Sequence, residues 1–149
     1  MSASDRRAQA GLDQTIPAMP VRDVRAAAAY YRDRFGFDPR YETDGFAVLV
    51  RDEAVLHLWG ATDESWGSRE DLARQPICSG AESFLAGTAS CRIAVADVDA
   101  LFDELQNAGV LHPTAQGGVA ATNFETREFA TLDLDGNLLT FFRQVPADE

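Results

Sequence analysis

One short phrase occurs twice in this chain and constrains its architecture more than any other feature. Val-Arg-Asp-Val-Arg-Ala at residues 21–26 returns as Val-Ala-Asp-Val-Asp-Ala at 95–100. Each copy ends an apolar stretch of strand type and opens a segment with helical spacing of apolar residues, which stops at Gly36 or at Gly109. A repeat this long indicates duplication of a whole module, because solenoid repeats are shorter. The chain is therefore predicted to contain two similar halves that together build one site.

Strand-like segments follow each predicted helix and complete the two halves. Apolar runs bounded by turn residues predict strands at 15–21, 37–41, 46–50, 54–59, 90–95, 127–134 and 137–142, and a further strand that begins at 110–111. The order β-α-β-β-β in both halves predicts an α+β fold in which two modules form a curved mixed sheet. Neither small sheet covers its own apolar face, so the halves must pack together or exchange with another copy.

Local signals set the boundaries of the modules. The composition divides the chain into a disordered leader, a first module, a linker and a second module, at residues 1–13, 14–60, 61–88 and 89–145. Asp23 and Asp97 are interpreted as helix N-caps rather than as a catalytic pair. Pro17 and Pro20 confine the first strand to a sheet edge, since proline has no amide hydrogen. Trp66 and Phe84, in the linker, fit lid residues or dimer contacts.

Charge and cysteine usage narrow the classes of partner. The net charge of −11, from 13 basic and 24 acidic side chains, disfavours nucleic acid and anionic membrane surfaces. It favours a cationic ligand, although acidity also serves solubility alone. Cys78 and Cys91 form no C-x-x-C pair and are interpreted as buried thiols rather than a disulfide. With no export signal or long apolar stretch, the expected location is cytoplasmic.

Several motifs carry a resemblance to a known superfamily. They are Pro-Val-Arg-Asp-Val at 20–24, Tyr-Tyr-Arg-Asp-Arg-Phe-Gly-Phe at 30–37, Arg-Glu-Phe-Ala at 127–130 and Asp-Gly-Asn at 135–137. The chain resembles the vicinal oxygen chelate superfamily, which includes glyoxalase I, extradiol dioxygenases, fosfomycin-resistance enzymes and bleomycin-resistance proteins. Within the superfamily it is most similar to the bleomycin-resistance branch. The resemblance spans about residues 15–143 and implies paired β-α-β-β-β modules.

The resemblance also implies where a divalent metal would bind in the enzymes of the superfamily. The four ligand positions fall at Ile16, at His57, at Ser90 or Cys91, and at Thr140. A metal needs three or four nitrogen, oxygen or sulfur donors, and His57 is the one ordinary ligand among them. We therefore expect no metal, no other cofactor and no catalytic residue. The alternatives are a metal-dependent lyase, isomerase or dioxygenase that keeps His57 as a ligand, or a structural or regulatory member without a small ligand.

Aromatic residues predict a binding cleft in place of a metal centre. Alternation along the strand at 54–59 places His57 and Trp59 on one face and two leucines on the other. The leucines suit the helix side, so His57 and Trp59 are predicted to face the cleft, with Phe46 and Tyr41 on the neighbouring strands. Aromatic faces stack on planar rings and attract cations. The competing interpretation for each ring is plain core packing.

The resemblance suggests a ligand and an assembly for this cleft. The bleomycin-resistance branch is understood to sequester antibiotics with a planar bithiazole and a cationic tail in grooves between the two subunits of a dimer. It implies that Tyr41 and Phe46 stack on the ligand, that Glu42 and Asp44 meet its positive charge, and that Phe124 adds a further ring. We therefore expect a homodimer, with or without strand exchange, that binds a cationic or aromatic small molecule of the glycopeptide-antibiotic type.

Overall fold

The computed structural model describes residues 7–61, 73–74, 76 and 80–146. Two modules follow one another, with elements β1 (Ala18–Val21), α1 (Val24–Phe35), β2 (Asp38–Glu42), β3 (Phe46–Arg51), β4 (Ala54–Gly60), then β5 (Ser90–Ala94), α2 (Val98–Ala108), β6 (Ala120–Ala121), β7 (Thr126–Leu132) and β8 (Leu138–Gln144). Each module has its own four-stranded mixed sheet, in the orders β1-β4-β3-β2 and β5-β8-β7-β6. The duplicated β-α-β-β-β architecture and the α+β class are confirmed.

The repeated phrase marks the start of each helix. The side chains of Asp23 and Asp97 accept hydrogen bonds from the backbone amide three residues further on, at 3.1 and 3.0 Å. Such caps satisfy amides that have no partner within the helix. Gly36 and Gly109 end the helices at φ values of 72° and 75°, a left-handed conformation in which glycine avoids a Cβ clash. The two aspartates therefore serve the architecture, as the sequence predicted.

Two strand predictions differ from the structure. β1 begins at Ala18, three residues later than expected, and lies at a sheet edge. The strand expected to begin at 110–111 is reduced to one isolated bridge between Leu111 and Thr131, and the outer strand of the second sheet is the short β6. The reason is the 3-10 turn Pro113–Ala115, because its proline has no amide hydrogen to continue a strand ladder.

The two modules share one apolar core between their sheets and helices. Phe35, the last residue of α1, stacks on Phe141 of β8 with ring centroids 6.4 Å apart. Phe141 in turn stacks on Phe129 of β7 at 5.5 Å. This chain of rings crosses from one module to the other, so neither half is buried without its neighbour.

A buried polar group of four residues also joins the modules, and we call it the inter-module clasp: Pro20, Tyr31, Asp133 and Asn137. The hydroxyl of Tyr31 donates to Asp133 at 2.7 Å. The side-chain amide of Asn137 donates to Asp133 at 3.0 Å and to the carbonyl of Pro20 at 2.9 Å. Burial, followed by the charge of Asp133, holds the pKa of Tyr31 well above its usual value, so the hydroxyl remains a donor.

The segment predicted as a linker is described only in part. Trp66 and Cys78 lie outside the described residues, whereas Gly80 packs against Trp59 of the first module and Gly87 against the backbone at Asp135 of the second. Cys91 on β5 is a free thiol, and burial followed by the charge of Asp133 raises its pKa to about 11. Across the residues that the structure describes, no helix is both long enough and apolar enough to cross a membrane.

Candidate ligand-binding site

The first sheet has an apolar face that is not covered by a helix. The antiparallel register of β3 and β4 pairs Phe46 with Trp59 and Val48 with His57. All four side chains are partly exposed and point away from α1. The alternate residues of the same strands are fully buried in the core, namely Ala47, Leu49, Leu56 and Leu58. The predicted alternation, with the leucines on the helix side, is therefore observed.

Four rings on this open face lie in contact and form what we call the aromatic cluster: Tyr41, Phe46, His57 and Trp59. Phe46 is central, with ring centroids 4.6 Å from Trp59, 5.0 Å from His57 and 6.1 Å from Tyr41. Tyr41 is 56% exposed. Tilted rings at these distances pack favourably and leave faces on which a planar ligand can stack.

The end of the linker folds back onto the aromatic cluster. A Cβ atom added to Gly80 would lie 1.9 Å from the indole of Trp59, and the adjacent Ala81 is fully buried. The backbone at Gly80 therefore rests against the indole at a distance that excludes any larger residue. This contact fixes one side of Trp59 and leaves the remaining rings of the cluster accessible.

Replacing Gly80 with alanine should displace the Trp59 ring and lower the free energy of unfolding by about 1–3 kcal/mol, the usual cost of forcing extra atoms into a packed site. Near-ultraviolet circular dichroism and urea unfolding measure the two effects. Gly45 is the matched control, since a Cβ atom there has no neighbour within 4 Å. Equal spectra and equal stabilities for the two variants would show that the Gly80 contact does not hold the ring.

The two acidic residues expected to meet a cation are already engaged by an arginine. Arg25 of α1 donates to Glu42 at 2.7 Å and to Asp44 at 3.0 Å. These hydrogen bonds, that of Glu42 first, raise the pKa of Arg25. Glu42 pairs with the buried Ala47 in the sheet register, so its side chain points toward α1 and not into the aromatic cluster. Glu42 and Asp44 therefore bind the guanidinium group of Arg25 on the helix side of β2.

The open face of the second sheet carries a group that the sequence did not single out: Arg92, Phe124, Thr126, Glu128 and Phe142, the sheet-two cluster. Arg92 donates to both oxygens of Glu128, at 2.8 and 3.2 Å. Its guanidinium carbon lies over Phe142 at 4.7 Å and over Phe124 at 5.8 Å. The hydrogen bond from Arg92, ahead of one from Thr126, lowers the pKa of Glu128.

Of the sheet-two cluster, sequence reasoning found only Phe124, which is 57% exposed. The missed signal was alternation: with Cys91 and Ile93 packed against the core, Arg92 between them must face outward. Glu128 was recognised only as part of a family motif. In the structure Phe124 lies in the turn between β6 and β7, in cation–π contact with Arg92, and is not part of the aromatic cluster.

The four implied metal-ligand positions do not form a donor set. Ile16 precedes β1 and is partly exposed, and Cys91 packs against the core rather than on the open face. Thr140 is buried beside Arg92 in the strand register. Among the described residues, no group of three or more histidine, cysteine, aspartate or glutamate side chains is placed to hold a metal ion. The chemistry of these side chains does not fit the metal site of the superfamily's enzymes.

Comparison with protein families agrees with the paired modules. The family model of the Glyoxalase/Bleomycin resistance protein/Dioxygenase superfamily matches residues 11–141. The chain belongs to this superfamily. Among curated superfamily members, the bleomycin resistance proteins of Geobacillus stearothermophilus and Staphylococcus aureus are 45% identical to it over 132 residues, which cover 89% of this chain and 97% of those proteins.

Two solved structures share the fold of this chain. A bleomycin-binding protein from Streptomyces verticillus, complexed with copper(II)-bleomycin, aligns with a TM-score of 0.64 and 24% identity, covering 93% of this chain and 99% of that one. Lactoylglutathione lyase from Agrobacterium tumefaciens aligns with a TM-score of 0.65 and 18% identity, covering 91% and 96%. Binding proteins and enzymes thus share this architecture, and the choice between them depends on the site residues.

Proposed function

We propose that this protein is a bleomycin-resistance protein that binds and sequesters bleomycin or a similar planar, cationic glycopeptide. The observation that carries the proposal is the aromatic cluster on an open sheet face, in a chain 45% identical to bleomycin resistance proteins over nearly their whole length. Stacking on Tyr41, Phe46 and Trp59 supplies flat apolar area for the planar part of the ligand. Sequestration breaks no bond, so it requires no metal and no catalytic residue.

Electrostatics supports the cationic part of the proposed ligand. Glu128 on the open face of the second sheet and the highly exposed Asp44 each hold a guanidinium group of the chain itself. Carboxylates in such positions have the geometry to bind a ligand's cation as well. The net charge of −11 adds a long-range attraction that speeds the encounter with a cation.

We further propose that the cleft lies between the subunits of a homodimer in the cytoplasm. Each chain leaves apolar residues open on two sheets and exposes Leu12 and Ile16 ahead of an edge strand. Such surfaces commonly pair with a second copy. The free thiol of Cys91 supports a reducing compartment. Sedimentation equilibrium at micromolar concentration tests the dimer, for which the expected mass is twice 16.2 kDa.

The proposed function is tested by calorimetric titration of the purified protein with metal-free bleomycin. We expect saturable heat with a dissociation constant at or below about 1 μM, which corresponds to roughly 8 kcal/mol. No heat at micromolar concentrations would reject bleomycin as the ligand. The enzymatic alternative is tested on the same sample, because stoichiometric metal that is lost in the His57→Ala variant would favour a metal-dependent reaction.

A further inference from the structure

The guanidinium of Arg92 has the surroundings of a bound ligand. It contacts both oxygens of Glu128, and two aromatic rings, Phe142 and Phe124, lie within cation–π distance. Thr126 donates to Glu128 at 2.7 Å and orients its carboxylate. A planar cation with two parallel N–H donors is the group that such a carboxylate and such rings recognise.

Arg92 can give up its contacts with Glu128 and the two rings at little cost in free energy. The Arg92 side chain is 46% exposed, and it stands on β5, the edge strand of the second sheet. Exposed ion pairs contribute little to stability, so Arg92 can swing into solvent without disturbing the fold. Glu128 is only 18% exposed and remains fixed by Thr126 when Arg92 leaves.

We propose that Glu128, Phe142 and Phe124 form a subsite for a guanidinium or amidinium group, and that Arg92 is its resident occupant until a ligand displaces it. The inference rests on the proposed function in one respect, namely that the open face of the second sheet receives the cationic part of the ligand. Arg92 is then a residue that sets specificity by competition. Only a cation that is planar and forms two hydrogen bonds replaces all of its contacts.

Competition by Arg92 predicts an unusual effect of its removal. A ligand that must first displace an internal occupant binds only to the molecules whose site is free. Its apparent dissociation constant is therefore the intrinsic constant divided by the fraction of molecules with a free site. The contacts of Arg92 combine one exposed ion pair and two cation–π interactions, which corresponds to roughly a tenfold penalty. The Arg92→Ala variant is therefore expected to bind a small planar cation about tenfold more tightly than the unmodified protein.

The probe is benzamidinium, a flat amidinium small enough to enter the subsite, and binding is followed by NMR titration of the intact protein. Arg92→Ala should bind it about tenfold more tightly, and the double variant Arg92→Ala with Glu128→Gln should lose that gain. Arg127→Ala is the matched control, because Arg127 lies on the opposite face of β7 and pairs with Asp99. Its affinity should equal that of the unmodified protein.

A second readout follows Arg92 itself in the unmodified protein. The Nε–H resonance of Arg92, identified by its loss in Arg92→Lys, should move to the position of a solvated arginine as benzamidinium saturates the site. Unchanged resonances at saturation, or equal affinities of the Arg92→Ala and Arg127→Ala variants, would overturn the proposal. These results do not depend on bleomycin, so the subsite and the proposed function can fail separately.

Discussion

Replacing Asp133 with alanine should lower the free energy of unfolding by at least about 3 kcal/mol, because it leaves several buried donors without an acceptor. Asp133 is 5% exposed and accepts the hydroxyl of Tyr31, the side-chain amide of Asn137 and two backbone amides at 2.8 and 2.9 Å. Hydrogen bonds to a charged acceptor contribute more than neutral ones. A loss of this size is a large part of the stability of an ordinary domain.

Urea unfolding measures this loss, and two further variants separate its causes. Tyr31→Phe removes one donor of the clasp and should cost less than Asp133→Ala, about 1–3 kcal/mol. Asp99→Ala removes the exposed pair with Arg127 and one acidic side chain from the first turn of α2, and it should cost about 1 kcal/mol. If Asp133→Ala proved no more harmful than Asp99→Ala, the inter-module clasp would not be a source of stability.

Replacing Phe46 with alanine should weaken the binding of bleomycin by about 30- to 100-fold, the effect of removing an aromatic residue at the centre of a binding surface. Phe46 contacts the other three rings of the aromatic cluster, so its loss removes a stacking surface and also frees its neighbours. The overall fold should persist, since Phe46 belongs to the open face rather than to the shared core.

Calorimetric titration of three variants checks this effect. Phe46→Leu keeps an apolar side chain but has no ring. If its affinity is intermediate, the difference between Phe46→Leu and Phe46→Ala measures the contribution of side-chain volume, and the difference between the unmodified protein and Phe46→Leu measures the contribution of ring stacking. Leu134→Ala is the matched control, because Leu134 is another exposed apolar residue and lies in the β7–β8 turn, outside both clusters. An unaltered affinity of the Phe46→Ala variant for bleomycin would show that the aromatic cluster is not part of the binding surface.

Features that depend on neighbouring residues were predictable from the sequence. The caps at Asp23 and Asp97 and the alternation that exposes His57 and Trp59 each follow from a few consecutive positions. The short bridge at Leu111 shows the limit of such reasoning, because a proline two residues later ends the strand.

Features that depend on strand register were not predictable. Arg92 meets Glu128 only because β5 and β7 both flank β8, and the two residues are 36 positions apart in the chain. The contact of Gly80 with Trp59 likewise needs the path of a segment without periodicity. The sequence alone therefore identified single aromatic and acidic residues but could not show that arginines of the chain already occupy the acidic ones.

The inter-module clasp can form only after most of the chain has been synthesised. Tyr31 and Asp133 are 102 positions apart, which a ribosome adding about 5–20 residues per second covers in roughly 5–20 s. During that interval the nascent first half lacks the acceptor for its tyrosine hydroxyl and the rings that complete its core. The first half of the chain therefore completes its native packing only after the second half has been synthesised. A chain truncated before Asp133 lacks the contacts that complete the packing of both halves.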